Sequence, residues 1–414
     1  MQTQLSPEYQ GTPDGVAAEA ILRKCVHCGF CTATCPTYQL LGDELDGPRG
    51  RIYLMKQVLE GAEPTRATQQ HLDRCLTCRN CESTCPSGVD YGHLVDIGRK
   101  LVDAKVPRPP KERAVRWALK EGLPSPAFAP AMRLGQRVRG LLPAALRAKV
   151  PAPRPAGDWP PARHHARTVL MPEGCVQPSM APNIDRATAR VLDAAGIGVL
   201  RVPGGGGCCG AVKFHLDDQD GGMAQMRANI DAWWPHVEGA GAVQAIVVNA
   251  SGCSLMVKDY GHALRHDPAY AAKARRISAL ARDLAELLPQ IAEGVAPRLA
   301  GKAPDGVLAF HPPCTLQHGQ KLRGVVEQHL GALGFDVRVA AAEAHLCCGS
   351  AGTYSVLQPD LSRQLRDRKL GHLDALAPQA IVSANIGCIT HLQSGTGVPV
   401  RHWVEVLDEA LAAA

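Results

Sequence analysis

The second half of the chain alternates short apolar runs with longer amphipathic stretches. Four such runs lie at residues 169–171, 245–248, 307–310 and 380–383, and a further run precedes each Cys-Cys-Gly sequence. Runs of this length predict strands, and the stretches between them have the spacing of helices. Strands that alternate with helices indicate parallel βαβ units. An α/β fold is therefore expected here.

The first part of the chain has a different pattern. Residues 51–60 and 65–72 carry apolar side chains at helical spacing. Residues 128–150 alternate apolar and basic side chains, with an interruption at Pro143. We interpret this last stretch as a helix that packs on the protein and shows its basic side to water. Docking to a membrane surface or a partner is the alternative.

Cysteines repeat within the α/β half. Cys175 is followed at offsets of 33, 34 and 78 by three further cysteines, and Cys314 at offsets of 33, 34 and 74. The repeat predicts a duplicated α/β domain whose cysteines lie on loops at the strand ends. The predicted division of the chain is a helical domain at 1–106, a Pro-rich basic linker at 107–163, a first cysteine-rich repeat at 164–300 and a second at 301–414.

Composition narrows the role of the cysteines. The chain has 414 residues, enough for a core without disulfide support, and 16 cysteines. No apolar run reaches the roughly 18 residues of a membrane span, and the first 24 residues do not form a secretory signal. We therefore expect a cytoplasmic protein whose cysteines are reduced and bind a ligand.

The net charge of +6 comes from the linker. Residues 107–163 contain twelve Lys or Arg and three acidic residues, which leaves 33 basic and 36 acidic residues elsewhere. A general nucleic-acid-binding role is therefore not expected.

Two runs in the N-terminal region share one spacing. Cys25, Cys28, Cys31 and Cys35-Pro36 recur as Cys75, Cys78, Cys81 and Cys85-Pro86. This spacing is similar to that of bacterial ferredoxins, in which the fourth cysteine of each run ligates the other cluster. The resemblance implies two [4Fe-4S] clusters, one on Cys25, Cys28, Cys31 and Cys85 and one on Cys75, Cys78, Cys81 and Cys35. Zinc is the alternative, but it does not require the third cysteine or the Cys-Pro pair.

The 39 residues between Cys35 and Cys75 are too many for a compact ferredoxin hairpin. The region resembles the mainly helical ferredoxin domain of respiratory oxidoreductases. The expected fold class is accordingly α plus α/β, with a helical ferredoxin domain before the duplicated cysteine-rich domain.

Each α/β repeat resembles the cysteine-rich (CCG-type) domain of heterodisulfide reductase, which can carry an unusual iron-sulfur cluster. The implied ligands of up to two further clusters are Cys175, Cys208, Cys209, Cys253, Cys314, Cys347, Cys348 and Cys388. That family pattern ends in Cys-x-x-Cys, whereas the last position here is Met256 or His391. His391 is a candidate substitute ligand; His311, His318 and His345 are weaker candidates, and Met256 is expected to pack in the core. The alternative is that one repeat holds reduced thiols without metal.

The glycine run 204–207 lies directly before Cys208-Cys209, and we interpret it as letting the backbone approach that site rather than as a dinucleotide-binding loop. We therefore expect neither flavin nor NAD in this chain. Clusters without a hydride-handling cofactor indicate an electron-transfer subunit of a larger complex.

Five segments, 25–38, 45–51, 76–81, 229–234 and 345–354, resemble the iron-sulfur subunit of bacterial glycolate oxidase (glycolate dehydrogenase). The resemblance implies an FAD-containing partner subunit that oxidises glycolate to glyoxylate. It also implies a quinone acceptor and a peripheral position on the inner face of the cytoplasmic membrane. The iron-sulfur subunits of anaerobic glycerol-3-phosphate and D-lactate dehydrogenases are alternatives, and an iron-sulfur sensor or scaffold is an alternative of another class.

Overall fold

Two four-stranded parallel sheets form the second half of the computed structural model, which describes residues 1–239 and 241–414. The strands are β1 (Arg167–Leu170), β2 (Ile197–Leu200), β3 (Ile246–Val248), β4 (Ala281–Asp283), β5 (Val307–Phe310), β6 (Asp336–Val339), β7 (Ala380–Ser383) and β8 (Val400–His402). Their orders are β2-β1-β3-β4 and β6-β5-β7-β8, and every pairing is parallel. The central strands β3 and β7 are buried along their whole length.

The helices of the N-terminal region and the linker are α1 (Pro13–Lys24), α2 (Phe30–Ala33), α3 (Pro36–Leu41), α4 (Pro48–Leu59), α5 (Arg66–Asp73), α6 (Asn80–Thr84), α7 (Tyr91–Lys105), α8 (Pro110–Gly122), α9 (Phe128–Arg137) and α10 (Ala144–Arg147). The first repeat contains α11 (Gln177–Met180), α12 (Pro182–Ala194), α13 (Ala211–Phe214), α14 (Gln219–Val237), α15 (Ser251–Lys258), α16 (Tyr260–Ala263), α17 (Ala271–Leu280) and α18 (Leu284–Leu299). The second contains a π-helix (Thr315–Gly319), α19 (Val325–Ala332), α20 (Tyr354–Leu357), α21 (Pro359–Asp374), α22 (Ile386–Gln393) and α23 (Trp403–Ala413).

The fold class matches the one predicted, with a helical region followed by two parallel α/β units. The predicted apolar runs correspond to β1, β3, β5 and β7, and the runs predicted before the two Cys-Cys-Gly sequences correspond to β2 and β6. The edge strands β4 and β8 were not predicted. Each has three residues with an arginine in the middle, and each leads directly into a helix that begins with a capping box, at Asp283 and at His402.

The N-terminal helices surround their own core. Thr12 caps α1 by accepting a hydrogen bond from the Gly15 backbone N–H at 3.1 Å, and Thr65 begins α5 with a capping box. Leu22, Leu59 and Leu94 are essentially fully buried between these helices. This core holds the two cysteine runs at fixed positions.

The two repeats pack against each other through equivalent helices. Helix α12, which follows β1, contacts α23, which follows β8; helix α18, which follows β4, contacts α19, which follows β5. Each contact therefore joins the helix that leads from the first to the second strand of one repeat to the last helix of the other, as in a two-fold interface. One hydrophobic core runs through both repeats and includes Val191, Leu288, Leu330 and Trp403.

The linker is only partly packed on the protein. Met132 of α9 is buried, but Leu134, Leu141 and Leu146 are 61%, 87% and 56% exposed. The predicted helix with a buried apolar side therefore forms only in part. Within the described residues, no helix combines the length and the apolar composition needed to cross a membrane.

A buried ion-pair hub joins the start of the linker to both neighbouring domains. Arg108 contacts Asp73 at 2.6 Å and Asp103 at 2.5 Å in the N-terminal domain, and Asp217 at 3.1 Å in the first repeat. Arg116 of α8 also contacts Asp217, whose side chain is 3% exposed. Asp217 thus fixes α8 to the first repeat.

Asp217→Ala should destabilise the protein by about 3 kcal/mol, because it leaves the buried Arg116 guanidinium without its main counter-charge. Urea unfolding followed by circular dichroism measures this change. Asp360→Ala is the matched control, since that carboxylate is 82% exposed and its pair with Arg363 contributes at most about 1 kcal/mol. Equal stability of the two variants would contradict a structural role for the hub.

Candidate metal centres

Each N-terminal cysteine run forms a tight loop followed by a short helix. His27 and Gly29 take left-handed backbone conformations in the first loop, and Thr77 and Arg79 take them at the equivalent positions of the second. The third cysteine of each run lies on the short helix, and the fourth lies just beyond its end. The two runs therefore have the same local shape.

The two short helices α2 and α6 pack against each other. The Asn80 side chain donates to the Thr34 carbonyl oxygen at 2.9 Å, and the Thr34 and Thr84 hydroxyls are 3.1 Å apart. These contacts place the ends of the two runs beside each other.

Two cavities are together lined by all eight thiols, and Cys81 lines both. A cavity of about 440 Å³, partly open to solvent, is lined by Cys25, Cys28, Cys31, Cys85 and Cys81. A second cavity of about 310 Å³ is lined by Cys35, Cys75, Cys78 and Cys81. The last cysteine of each run thus lines the cavity of the other run.

The donor set fits an iron-sulfur cluster. Soft thiol groups line both cavities, five around the first and four around the second, and a cubic cluster takes four. A structural zinc site also needs four thiolates per ion, but it does not require the third cysteine and the Cys-Pro pair in each run. The donor arrangement therefore favours clusters over single zinc ions.

Burial controls the protonation of these thiols. It raises the pKa of Cys31 to about 11, with a further contribution from the neighbouring Cys25, and it raises the pKa of Cys35 and Cys81. Without metal, these three thiols therefore stay protonated at neutral pH. Metal binding must displace these protons, because the thiolate is the ligand.

Two buried guanidinium groups lie close to the second cavity. Arg51 is 1% exposed and donates to the Thr37 hydroxyl at 3.1 Å, which in turn is 3.3 Å from Cys35 Sγ. Arg99 donates to the Cys75 carbonyl oxygen at 2.6 Å. The two cations offset the negative charge of thiolates at this site. Sequence patterns alone did not identify Arg99.

The four cysteines of the first repeat gather at the carboxyl edge of its sheet. Cys175 follows β1, Cys208 and Cys209 follow β2, and Cys253 lies on the helix after β3. Cys208 contacts the thiols of Cys175 and Cys209, and Cys209 contacts Cys253. Hydrogen bonds from Cys175 and Cys209 lower the pKa of Cys208 to about 3. The predicted position at strand ends is the one observed.

Three side chains hold the Cys-Cys loop of this repeat. Asn229 is buried; it donates to the Cys208 carbonyl oxygen at 2.9 Å and accepts from the Gly207 N–H at 2.8 Å. Trp233 donates to the Gly205 carbonyl oxygen at 3.1 Å, and Tyr260 to that of Cys209 at 3.0 Å. A methyl group at Gly206 would lie 2.5 Å from the Asn229 side-chain oxygen, so the loop needs glycine there.

The second repeat repeats this arrangement with deeper burial. Its thiol contacts run from Cys314 to Cys347, from Cys347 to Cys348 and from Cys348 to Cys388, and all four residues are buried. In the first repeat, by contrast, Cys175 and Cys253 are partly exposed. The thiol of Cys314 also contacts that of Cys78 in the N-terminal domain.

The candidate histidines and Met256 have separate environments. His391 Nε2 lies 3.1 Å from the Ser362 hydroxyl and 3.2 Å from its carbonyl oxygen, and burial lowers the pKa of His391 to about 4. His318 contacts Ser83 at 3.0 Å and the His345 carbonyl oxygen at 2.9 Å. Met256 is buried among the apolar side chains of the first repeat, as expected.

His311 is placed differently. Its side chain is buried, and a ring nitrogen lies with the sulfur atoms of Cys348 and Cys388 in a group whose members are all within 4.8 Å of one another. Sequence spacing did not distinguish His311 from His318 and His345. Only the direction of the side chain distinguishes it.

Comparison with known families assigns both parts of the chain. Residues 21–89 match the family described as 4Fe-4S dicluster domain, and residues 169–258 and 308–393 match the family described as Cysteine-rich domain. The N-terminal region is therefore an iron-sulfur domain, and the two α/β units are a pair of cysteine-rich domains.

Curated relatives cover the whole chain. The "Probable glycolate oxidase iron-sulfur subunit" of Bacillus subtilis is 29% identical over 91% of this chain and 89% of its own length. "Lactate utilization protein A" of Geobacillus thermodenitrificans is 29% identical, but over 55% of this chain and 92% of its own length. The "Glycolate oxidase iron-sulfur subunit" of Escherichia coli is 56% identical over 99% of each chain. The chain therefore belongs to the family of glycolate oxidase iron-sulfur subunits.

Proposed function

We propose that this chain is the electron-transfer subunit of a glycolate oxidase. It accepts electrons from an FAD-containing partner subunit that oxidises glycolate to glyoxylate, and it delivers them to a respiratory acceptor such as quinone. The observation that carries the proposal is the continuous series of thiol groups from the exposed first cavity to the buried second repeat. The relatives favour glycolate over glycerol-3-phosphate and D-lactate, and they do not favour a sensor.

The ligand sets follow the two cavities. One [4Fe-4S] cluster is held by Cys25, Cys28, Cys31 and Cys85, and the other by Cys75, Cys78, Cys81 and Cys35. Bound clusters supply one-electron redox chemistry. Arg51 and Arg99 keep positive charge beside the second ligand set, which favours the reduced, more negative state at that site.

The surroundings of each ligand set indicate what it faces, another protein in one case and the second repeat in the other. Cys28 is exposed, and the neighbouring Val26 and Phe30 are 68% and 62% exposed. Exposed apolar side chains around a ligand suit a docking face for another protein. At the other end, the contact between Cys78 and Cys314 joins the N-terminal domain to the second repeat. Cys175, Cys208, Cys209 and Cys253, together with Cys314, Cys347, Cys348 and Cys388, would hold up to two further clusters.

The linker supports a peripheral position on the inner face of the cytoplasmic membrane. Arg133, Arg137 and Arg147 are exposed on the same segment as Leu134 and Leu141. Basic side chains close to an anionic leaflet contribute up to about 1 kcal/mol each, and exposed leucines insert into the headgroup region.

Cys85→Ser should remove the same electron paramagnetic resonance signal as Cys28→Ser, and Cys35→Ser the same signal as Cys78→Ser. The reason is that the last thiol of each run lines the cavity of the other run. Iron content should fall by about four atoms in each single variant. Ser87→Ala, at the rim of the first cavity, is the matched control and should keep both signals. If Cys85→Ser instead removed the Cys78 signal, the crossed ligation would be wrong.

The chain purified alone should not be reduced by glycolate, because the flavin chemistry belongs to the partner subunit. Adding the partner subunit and glycolate should bleach the visible absorbance of the clusters within the time of turnover. Dithionite is the control that bleaches the chain in either case. Oxidation of glycolate by this chain alone, without flavin, would contradict the assignment of that reaction to the partner subunit.

Changing Arg133, Arg137 and Arg147 together to Gln should move the complex from the membrane fraction to the soluble fraction at physiological salt. A matched variant with Arg275, Arg276 and Arg323 changed to Gln removes the same charge from exposed positions on the repeats and should stay membrane-bound. Cluster absorbance should be unchanged in both. Membrane attachment that survives the linker variant would mean that the linker does not dock the complex.

A further inference from the structure

His311 is buried without a hydrogen-bond partner. It follows β5 directly, its side chain is 1% exposed, and both ring nitrogens lack a partner among the described residues. A buried polar side chain without a partner calls for an explanation, such as a bound ion. With both ring nitrogens unpartnered, the imidazole of His311 is a candidate for a ligand interaction.

The other buried histidines of the second repeat show the ordinary case. His318 lies against Ser83 and His345, His391 contacts Ser362, and His402 contacts the Asn249 carbonyl oxygen at 3.0 Å. The other buried histidine side chains of this repeat thus form hydrogen bonds. Only His311 among these four has two free ring nitrogens.

The surroundings of His311 are those of a metal ligand. One ring nitrogen and the sulfur atoms of Cys348 and Cys388 all lie within 4.8 Å of one another, a spacing of the order of two metal–ligand bonds of about 2.0–2.3 Å. Cys347 contacts Cys348 and also Cys314, so the remaining thiols of the repeat continue the group. The site combines imidazole nitrogen with thiol sulfur.

We propose that His311 is a nitrogen ligand of an iron-sulfur cluster held by the second cysteine-rich repeat. The proposal rests on the occupancy of that repeat proposed above. A neutral imidazole can take the place of a thiolate on iron. It supplies the donor that the Cys-x-x-Cys position does not, because His391 at that position is turned to Ser362.

The first repeat provides an internal comparison. His311 lies three residues before Cys314, and Pro172 lies three residues before Cys175. The first repeat therefore has no imidazole at this place and only thiols in the equivalent group. A centre in the second repeat should carry nitrogen coordination, and a centre in the first repeat should not.

The test is pulsed electron paramagnetic resonance on the full chain, purified anaerobically and examined in both redox states. We expect a strong nitrogen hyperfine coupling that changes when the histidines are labelled with ¹⁵N. It should be lost in His311→Ala and retained in His391→Ala, the matched control. His311→Cys should keep the iron but lose the coupling, and its midpoint potential should fall because a thiolate adds negative charge.

The two N-terminal signals report whether each variant is folded. If His311→Ala loses those signals too, His311→Cys alone decides the matter. A nitrogen coupling that persists in His311→Cys would overturn the proposal. Two further results would also overturn it. One is a Cys347→Ser variant that keeps the iron content of the wild type, and the other is stoichiometric zinc in the repeat. Failure of glycolate-driven bleaching with an intact His311 coupling would count against the proposed function and leave this ligand in place.

Discussion

A thiol must lose its proton before it binds metal, and burial makes that loss costly for the deeply placed cysteines of the N-terminal domain. Cys35 and Cys81 lie deep in the N-terminal domain, and burial raises the pKa of both. Positive charge has to enter the site to stabilise the thiolates. Part of it is built into the fold as the buried guanidinium groups of Arg51 and Arg99. The rest has to come with the metal, so the fold and its metal content are linked.

The need to gather several thiols at one site explains the use of parallel sheets in the two repeats. Three successive loops of a parallel sheet meet at its carboxyl edge, which brings four distant thiols together without a long structured loop. The second repeat places this edge against the N-terminal domain, where Cys314 meets Cys78, and Lys369 lies buried among the same thiols. The first repeat leaves Cys175 and Cys253 partly exposed. The same local arrangement of four cysteines therefore lies in a buried environment in the second repeat and in a partly exposed one in the first.

Much of this architecture could be predicted from the sequence, because apolar runs and cysteine spacing are local signals. The runs in β1, β3, β5 and β7 are continuous and apolar, and the Cys-Cys pairs mark loops after strands. The edge strands β4 and β8 were not predicted, because each ends in a polar residue, Asp283 or His402, that caps the next helix. The candidate ligands His311 and His391 each lie three residues from a cysteine, so spacing does not distinguish them. Their side-chain directions depend on tertiary packing, which no local pattern records.

The two-fold contact between the repeats has a consequence for how they evolve. Helices α12 and α23 form the same contact as α19 and α18, as the subunits of a symmetric homodimer do. In a homodimer every mutation changes both halves at once. Joining the halves in one polypeptide removes that restriction while the shared core keeps them paired. Each half is then free to acquire its own residues, such as a histidine in one and a proline at the matching place in the other.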